Sequence, residues 1–251
     1  MGYQLRLVLT AIQFFTRLPV PGWVGYSERQ LNDASRYFPL VGILVGLFTG
    51  VVFLLAMRVF SQPIAVLLAM LSGILLTGGF HEDGLADACD GFGGGNDKLQ
   101  ILAIMKDSRV GSYGVLGLVF VLLLKFSTLA ALPAAQFLAI SAAAHAFSRF
   151  MAVSLIYTQR YVREDASARA RPAAQSISHP ALACAAFFAL VPLAWLGSGG
   201  IAAAGLALTL RIVAAQYFYR RIGGYTGDCL GAVQQITEIG FYLGLLAWIS
   251  T

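Results

Sequence analysis

Long apolar segments follow one another along this chain, separated by short stretches rich in charged residues and glycine. A membrane-spanning helix needs about 20 mostly apolar residues, and the pattern predicts about seven such spans. The predicted fold is all-α, a polytopic membrane helix bundle in a single domain over residues 1–251. Glycines and prolines near 78–80 and 197–200 leave open a broken or re-entrant span. The predicted spans are Phe38–Phe60, Pro63–Phe80, Val115–Leu132, Ala134–Tyr157, Pro180–Leu196, Gly200–Tyr219 and Leu230–Ile249.

The N-terminal segment has a different pattern, in which polar residues recur on one face of an otherwise apolar helix. The spacing i, i+4, i+7, i+11 predicts an amphipathic helix within residues 1–22 that lies in the membrane interface instead of crossing it. The prolines that follow end this helix, because proline cannot continue one. The polar positions are Arg6, Thr10, Gln13 and Arg17.

Composition supports the membrane assignment, since 58% of the residues are hydrophobic and only 12% are charged. A soluble domain carries roughly 25% charged residues, and disorder requires low hydrophobicity. Every Lys and Arg outside the predicted spans lies in the segments 1–37, 81–114, 158–179 and 220–229. Cytoplasmic loops of membrane proteins hold such an excess, so we expect the N-terminus inside and the C-terminus outside. The net charge of +5 is then explained by these loops, and we expect the protein to contact membrane lipid and not nucleic acid.

Half of the twelve acidic residues lie between positions 82 and 107. Asp83, Asp87 and Asp90 are spaced i, i+4, i+7, which places them on one helix face, where they repel one another. A divalent cation relieves that repulsion, and carboxylates suit Mg²⁺, often shared with substrate phosphates. We therefore predict a cytoplasmic metal and phosphate loop at 81–114, to which His81 contributes. A solvated acidic face is the alternative.

A second cluster follows immediately before the third predicted span. It combines Lys106, Asp107 and Arg109 with hydroxyls and glycines. Glycines let backbone N–H groups approach a ligand, and a helix N-terminus favours anions. Arg109 is suited to clamp a phosphate, with Lys106 as a point charge. A membrane-interface loop with basic anchors is the alternative interpretation.

A third cluster precedes the last span. Thr226 or Asp228 is expected to cap that helix, and Glu238 lies two or three turns further on, inside the membrane. An acid there is costly and needs a partner, which Arg149, Arg211 or Lys125 can supply. The sequence leaves open whether Arg149 and Glu238 form a structural ion pair or bind substrate.

These residues carry a resemblance to a known family. The segments 16–21, 36–42, 78–91, 105–114 and 223–232 are similar, in the same order, to the motifs of the cobalamin synthase family. The resemblance implies a Mg²⁺-dependent transferase in the bacterial cytoplasmic (inner) membrane, with its active site facing the cytoplasm. It implies transfer from adenosylcobinamide-GDP to α-ribazole or its 5′-phosphate, which releases GMP and completes the nucleotide loop of coenzyme B12.

Combined with the residue pattern, the resemblance gives a hypothesis for the site. Asp83, Asp87 and Asp90 hold Mg²⁺, while Asp107 or Asp228 accepts a proton or binds a second metal. Ala- and Gly-rich helices pack equally well within and between chains, so a homo-oligomer stays open. The candidate substrate-binding residues are Lys106, Arg109, Arg17, Arg36, His81, Thr226, Arg149 and Glu238.

Two other functions are weighed against this one. A CDP-alcohol-type phospholipid phosphotransferase also uses an aspartate-rich motif, but it typically has Ala-Arg after its Asp-Gly, where this chain has Leu85-Ala86. An ion-coupled transporter is favoured by charged residues inside the spans. The Arg-rich loop 158–179 is open between lipid anchoring and docking of a partner enzyme.

Overall fold

The computed structural model describes residues 2–162 and 174–251, and these residues form a helical bundle. The predicted all-α class is confirmed. Short 3₁₀ turns connect several of the α-helices. The described residues form α1 Tyr3–Phe15, α2 Glu28–Ala34, α3 Phe38–Ala56, α4 Gln62–Thr77, α5 Phe80–Gly94, α6 Lys98–Met105, α7 Ser112–Ala131, α8 Phe137–Thr158, α9 His179–Leu190, α10 Gly197–Ile222 and α11 Gly227–Ile249.

Within the described residues, five helical segments are long and apolar enough to cross a membrane, or six if one bent pair counts as a span. Seven spans were predicted. The predicted spans 180–196 and 200–219 are counted together as one helical stretch of 44 residues, His179–Ile222. A 3₁₀ turn and Gly197, with a φ angle of +56°, separate α9 from α10 inside this stretch, so the expected break near 197–200 is present. The predicted N-in, C-out orientation stays a prediction.

The bent pair consists of α4 and α5, which meet at an angle of 88°. Gly78 and Gly79 connect them with φ angles of +70° and +68°. Residues with a Cβ rarely adopt this left-handed conformation, so two consecutive glycines allow the chain to turn sharply. The expected break near 78–80 is therefore present, and α4 ends at Thr77, before the predicted end at Phe80.

The N-terminal helix α1 buries Leu7, Ala11 and Phe15 on one face. Thr10, expected on the polar stripe, is 2% exposed and accepts a hydrogen bond from Gln30 Nε2 at 2.5 Å. The prediction was wrong for Thr10 because the short helix α2 packs against this face and supplies a polar partner. Arg6 and Gln13 are exposed, and the interfacial location of α1 stays a prediction.

The centre of the bundle consists of α8 and α11. In the most apolar 18-residue segment of each of these helices, 78% is buried inside the protein, whereas the corresponding share in α7 is 22%. Polar side chains on α8 and α11 are therefore shielded from lipid, while α7 has a largely exposed surface. The two central helices provide the interior walls of the site.

Half of the predicted Arg-rich loop 158–179, including Arg163, Arg169 and Arg171, lies outside the described residues. Its first residues pair with the segment before α11. Val162 N donates to Tyr225 O and Tyr225 N donates to Arg160 O, each at 3.0 Å. This connection ties the end of α8 to the start of α11.

Candidate active site

The acidic helix α5 crosses the start of α11 at very short distance. A Cβ added to Gly84 would lie 3.2 Å from the carbonyl oxygen of Asp228 and 3.3 Å from Cα of Gly231. Glycine at these positions lets the two backbones approach, because no side chain separates them. As a result Asp83 of α5 and Asp228 of α11 line the same cavity.

We call this space the aromatic cavity, since four phenylalanine rings from α1, α3 and α5 form much of its wall. Its polar side chains are two carboxylates, one imidazole and one guanidinium. Apolar residues of α8 and α11 complete it. The lining residues are Phe14, Phe15, Phe38, Phe80, His81, Asp83, Gly84, Arg149, Ala152, Val153, Ile156, Ala174, Gly227, Asp228, Leu230 and Gly231.

A second cavity lies deeper in the bundle, and His81 and Arg149 line both. We call it the polar chamber. Its charged and amide-bearing residues come from α5, α7, α8 and α11. They are His81, Glu82, Lys125, His145, Arg149, Gln234, Gln235 and Glu238.

Glu238 is the centre of the polar chamber and is fully buried. Its carboxylate forms an ion pair with Lys125 Nζ at 2.5 Å and accepts hydrogen bonds from Gln234 Nε2 at 2.7 Å and Tyr242 Oη at 3.1 Å. Lys125 is therefore the ion-pair partner, and not Arg149, the alternative that the sequence left open. A buried carboxylate with this many partners is compensated for the loss of water.

Arg149 instead contacts the residues around it on α8 and α1. Its Nη1 donates to the carbonyl oxygen of His145 at 3.0 Å, and its guanidinium lies 5.7 Å from the ring centre of Phe15. Its Nε is buried without a hydrogen-bond partner. The guanidinium thus has donor capacity left at the boundary between the two cavities.

Glu82 and Gln235 add a polar contact between α5 and α11 in the same chamber. Gln235 Nε2 donates to Glu82 Oε1 at 3.0 Å, while Glu82 Oε2 and Gln235 Oε1 are buried without partners. Arg211, another suggested partner of Glu238, instead donates from Nε to Ser154 Oγ at 2.9 Å. Buried unpaired oxygens are uncommon, so the chamber retains capacity to bind polar groups.

Asp90 does not share the environment of Asp83. Its carboxylate accepts hydrogen bonds from Gly111 N at 2.7 Å and Gly114 N at 2.8 Å, at the start of α7. The sequence predicted a phosphate at this helix N-terminus, but here the carboxylate of Asp90 binds its backbone N–H groups. Along α5 the predicted face runs from exposed Asp83 through partly buried Asp87 to buried Asp90.

No group of three or more His, Cys, Asp or Glu side chains within residues 2–162 and 174–251 is arranged to hold one metal ion. Metal binding by Asp83, Asp87 and Asp90 stays a prediction. Mg²⁺ is usually bound by one or two protein carboxylates together with substrate phosphates. Asp83 and Asp228 at the aromatic cavity offer that all-oxygen donor set, so the residues present fit Mg²⁺.

Asp107 and Arg109 lie away from the aromatic cavity, in an open groove of about 470 Å³ beside Asp90. Arg109 Nη2 is 2.6 Å from Asp107 Oδ2, and its Nε lies 3.0 Å from Oδ1. The Arg109 side-chain and backbone hydrogen bonds lower the pKa of Asp107 to about 2. Asp107 is therefore ionised at neutral pH, and its negative charge offsets the Arg109 charge that was predicted to bind phosphate.

The remaining predicted residues are placed by local contacts. Thr226 is buried and accepts from Cys229 N at 3.3 Å, which confirms the expected cap of the last helix. Arg36 Nε donates to the carbonyl oxygen of Asp33 at 2.8 Å, and Arg17 lies beside Gly78 at the bend. Lys106 is exposed next to Met105 at the end of α6.

Sequence reasoning did not identify the phenylalanine rings of the aromatic cavity. Phe14 and Phe15 are distant along the chain from Phe38 and Phe80, and an aromatic residue in an apolar segment gives no signal of its own. His81 gave a weak signal through its position in the acidic motif. Its ring stacks on Phe15, with centres 5.2 Å apart.

Comparison with known proteins gives an independent result. Residues 7–246 match the family model described as cobalamin-5-phosphate synthase. An adenosylcobinamide-GDP ribazoletransferase of Shewanella frigidimarina is 49% identical over 97% of this chain and 95% of the relative. Relatives of the same name from Shewanella amazonensis and Shewanella oneidensis are each 48% identical over 97% of this chain, and over 95% and 94% of their own lengths. No solved structure matches the chain.

Proposed function

The chain belongs to the cobalamin-5-phosphate synthase family, and from this premise we propose that it makes the phosphodiester of the cobalamin nucleotide loop. The donor is adenosylcobinamide-GDP and the acceptor is α-ribazole or its 5′-phosphate. The adenosylcobinamide-phosphate group moves to the acceptor, and GMP is released. The products are GMP and adenosylcobalamin, or its 5′-phosphate when the acceptor is phosphorylated.

The observation that carries this proposal is the meeting of Asp83 and Asp228 in one cavity with Arg149. Transfer of a phosphate-containing group depends mostly on positioning and on neutralising charge. Carboxylates that accept protons and a guanidinium that binds oxyanions supply both functions. Two different helices provide the carboxylates, and the glycine contact between α5 and α11 keeps them together.

In this reaction a ribose hydroxyl of the acceptor attacks the phosphorus attached to cobinamide. The bond between that phosphorus and the bridging oxygen breaks, and the bridging oxygen leaves with GMP. We assign the hydroxyl proton to Asp228, because Asp83 is the proposed metal ligand and a general base must lie within hydrogen-bond reach of the proton. Arg149 binds a phosphate oxygen through the donors that His145 does not occupy.

We also propose that Mg²⁺ is required and is held by Asp83, with Asp87 or Asp228 as a second carboxylate. A bound Mg²⁺ would neutralise phosphate charge in the ground state and in the transition state. Asp90 is the weakest candidate ligand, because both of its oxygens accept hydrogen bonds from the start of α7.

The proposed location is the bacterial inner membrane, with the acidic segment on the cytoplasmic side. The candidate spans support a multi-pass protein, and the side rests on the distribution of Lys and Arg. The charged residues inside the bundle had favoured a transporter. Glu238 and Lys125 neutralise each other there, so two of the four charged residues behind that alternative form an ion pair.

The test is a product assay on detergent-purified protein. Adenosylcobinamide-GDP, α-ribazole and Mg²⁺ are supplied, and GMP and cobalamin are both quantified. We expect equal amounts of the two products, and none with EDTA or with Asp83→Asn. Because Asp83 is exposed, that variant is expected to keep the fold, which its melting temperature checks. A folded and fully active Asp83→Asn protein would exclude Asp83 from the site.

A further inference from the structure

The aromatic cavity has two chemically different parts, and the proposed reaction so far uses only one. Asp83, Asp228, His81 and Arg149 are its polar side chains. Its apolar wall consists of four phenylalanine rings and of aliphatic residues from α8 and α11. Small-molecule sites typically combine an apolar wall with a few placed polar groups, so this arrangement suits a ligand with a flat apolar body and a polar end.

The rings form a continuous aromatic surface. Phe15 contacts Phe38 edge to face with centres 4.5 Å apart, and Phe14 contacts Phe80 at 5.1 Å. Aromatic packing alone explains a compact cluster of this kind. It does not explain why the same cluster borders a cavity that contains two carboxylates.

The proposed reaction involves two nucleosides, the guanosine of the donor and the acceptor α-ribazole. The apolar wall of the cavity suits one of their bases better than the other. Guanine has donors and acceptors along its edge, and burying them against phenyl rings without partners is costly. Dimethylbenzimidazole, the base of α-ribazole, has carbon and methyl groups along most of its edge. An apolar wall therefore suits the acceptor base and disfavours the guanine of the donor.

The polar part of the cavity suits the other end of the same molecule. Asp83 and Asp228 are able to accept hydrogen bonds from ribose hydroxyls. Asp83 is exposed and Asp228 is partly exposed, while Phe15 and Phe38 are buried, so the two carboxylates lie toward the outer end of the cavity. A nucleoside oriented this way presents its sugar to the reacting groups.

We infer that the aromatic cavity is the binding site for the aromatic base of the acceptor nucleoside, with Phe80 and its neighbouring rings selecting an apolar base. This inference rests on the proposed function and adds to it the acceptor subsite. The phenylalanines are specificity-determining residues and take no part in the chemistry.

The test compares Phe80→Ala with Phe92→Ala. Both residues lie on α5 and are partly buried, and Phe92 stacks on Phe218 at 5.0 Å, outside the cavity. We expect Phe80→Ala to raise KM for α-ribazole about tenfold while KM for adenosylcobinamide-GDP stays within about twofold. The ratio of kcat/KM for α-ribazole to kcat/KM for a purine nucleoside acceptor is expected to fall in this variant. Phe92→Ala is expected to leave all three quantities unchanged.

Calorimetric binding of dimethylbenzimidazole, without donor or turnover, provides a second readout. Binding that is weakened in Phe80→Ala and kept in Phe92→Ala supports the inference, even if no cobalamin is produced and the proposed function fails. An active enzyme in which Phe80→Ala changes neither binding nor KM overturns the inference and leaves the proposed function standing. Equal losses in both variants overturn it too, because they indicate a general change in α5.

Discussion

At the scale of single residues, neighbouring aspartates of one motif have different environments. Asp83 is exposed at the aromatic cavity, whereas Asp90 is 8% exposed and bound to the N–H groups of Gly111 and Gly114. The difference comes from α7, which begins beside the last turn of α5 and offers unpaired backbone donors. The same residue type thus lines a cavity at one position and caps a helix at the other.

Replacing Asp90 by Asn is expected to destabilise the protein. Asn has one side-chain acceptor oxygen, so Gly111 or Gly114 loses its partner, at a cost of about 1–3 kcal/mol. The melting temperature should fall by about 2–4 °C for each kcal/mol. Asp97→Asn is the control, because Asp97 caps α6 in an exposed position and Asn caps equally well. An Asp90→Asn protein with unchanged stability but no Mg²⁺-dependent activity would support Asp90 as a metal ligand instead.

The buried pair of Lys125 and Glu238 gives a second prediction at this scale. Glu238→Gln leaves Lys125 charged and without its counter-ion inside the bundle, which is expected to cost about 3–5 kcal/mol. The double variant Lys125→Met with Glu238→Gln should recover much of this loss, since the unpaired Lys125 charge is then removed. Thermal unfolding in detergent of the two single variants and the double variant measures the coupling. Strictly additive losses would show that the two side chains do not act as a pair.

At the scale of helices, the crossing of α5 and α11 brings the two carboxylates of the candidate site to one cavity. Gly84 and Gly231 face each other there, and each lacks the side chain that would separate the backbones. The bend at Gly78 and Gly79 directs α5 toward this crossing, away from the line of α4. The position of Asp83 relative to Asp228 therefore depends on glycines that have no chemical role.

Gly84→Val is expected to reduce kcat about 100-fold, because a shift of about 1 Å between reacting groups has an effect of that size. Gly205→Val is the matched control. Gly205 also lies within a helix, but a Cβ there would have no neighbour within 4 Å. Turnover of both variants in the product assay, with melting temperatures, separates displacement from unfolding. Equal activity in both would mean that α5 and α11 need not approach so closely.

At the scale of the whole molecule, the unequal distribution of Lys and Arg leads to a prediction about orientation. If the acidic segment faces the cytoplasm and the chain crosses the membrane seven times, as the sequence predicts, the N-terminus lies inside and the C-terminus outside, whereas six crossings would leave both termini inside. With seven crossings, alkaline phosphatase fused after Thr251 should be active in cells, and green fluorescent protein fused there should not fluoresce. The reverse pattern at the C-terminus would contradict this orientation. A fluorescent protein at the N-terminus is the internal control and should fluoresce.

Much of the site was accessible from the sequence because its chemistry is carried by rare residues. Acids and buried cations are few in such an apolar chain, so Asp83, Asp228, Arg149 and Glu238 were conspicuous. Their partners were less accessible. The sequence offered three equivalent ion-pair partners for Glu238, namely Lys125, Arg149 and Arg211. Only the packing of α7 against α11 shows that Lys125 forms the pair.

The sequence by itself determined the helical class and the family, because hydropathy and local motifs carry that information along the chain, and it left open the break at the paired glycines. The tertiary structure decided which residues share a space. It assigned Asp90 to α7, Lys125 to Glu238, and four separate phenylalanines to one cavity. Those assignments depend on the angles and distances between helices far apart in sequence, and apolar segments that look alike do not encode them in any local pattern.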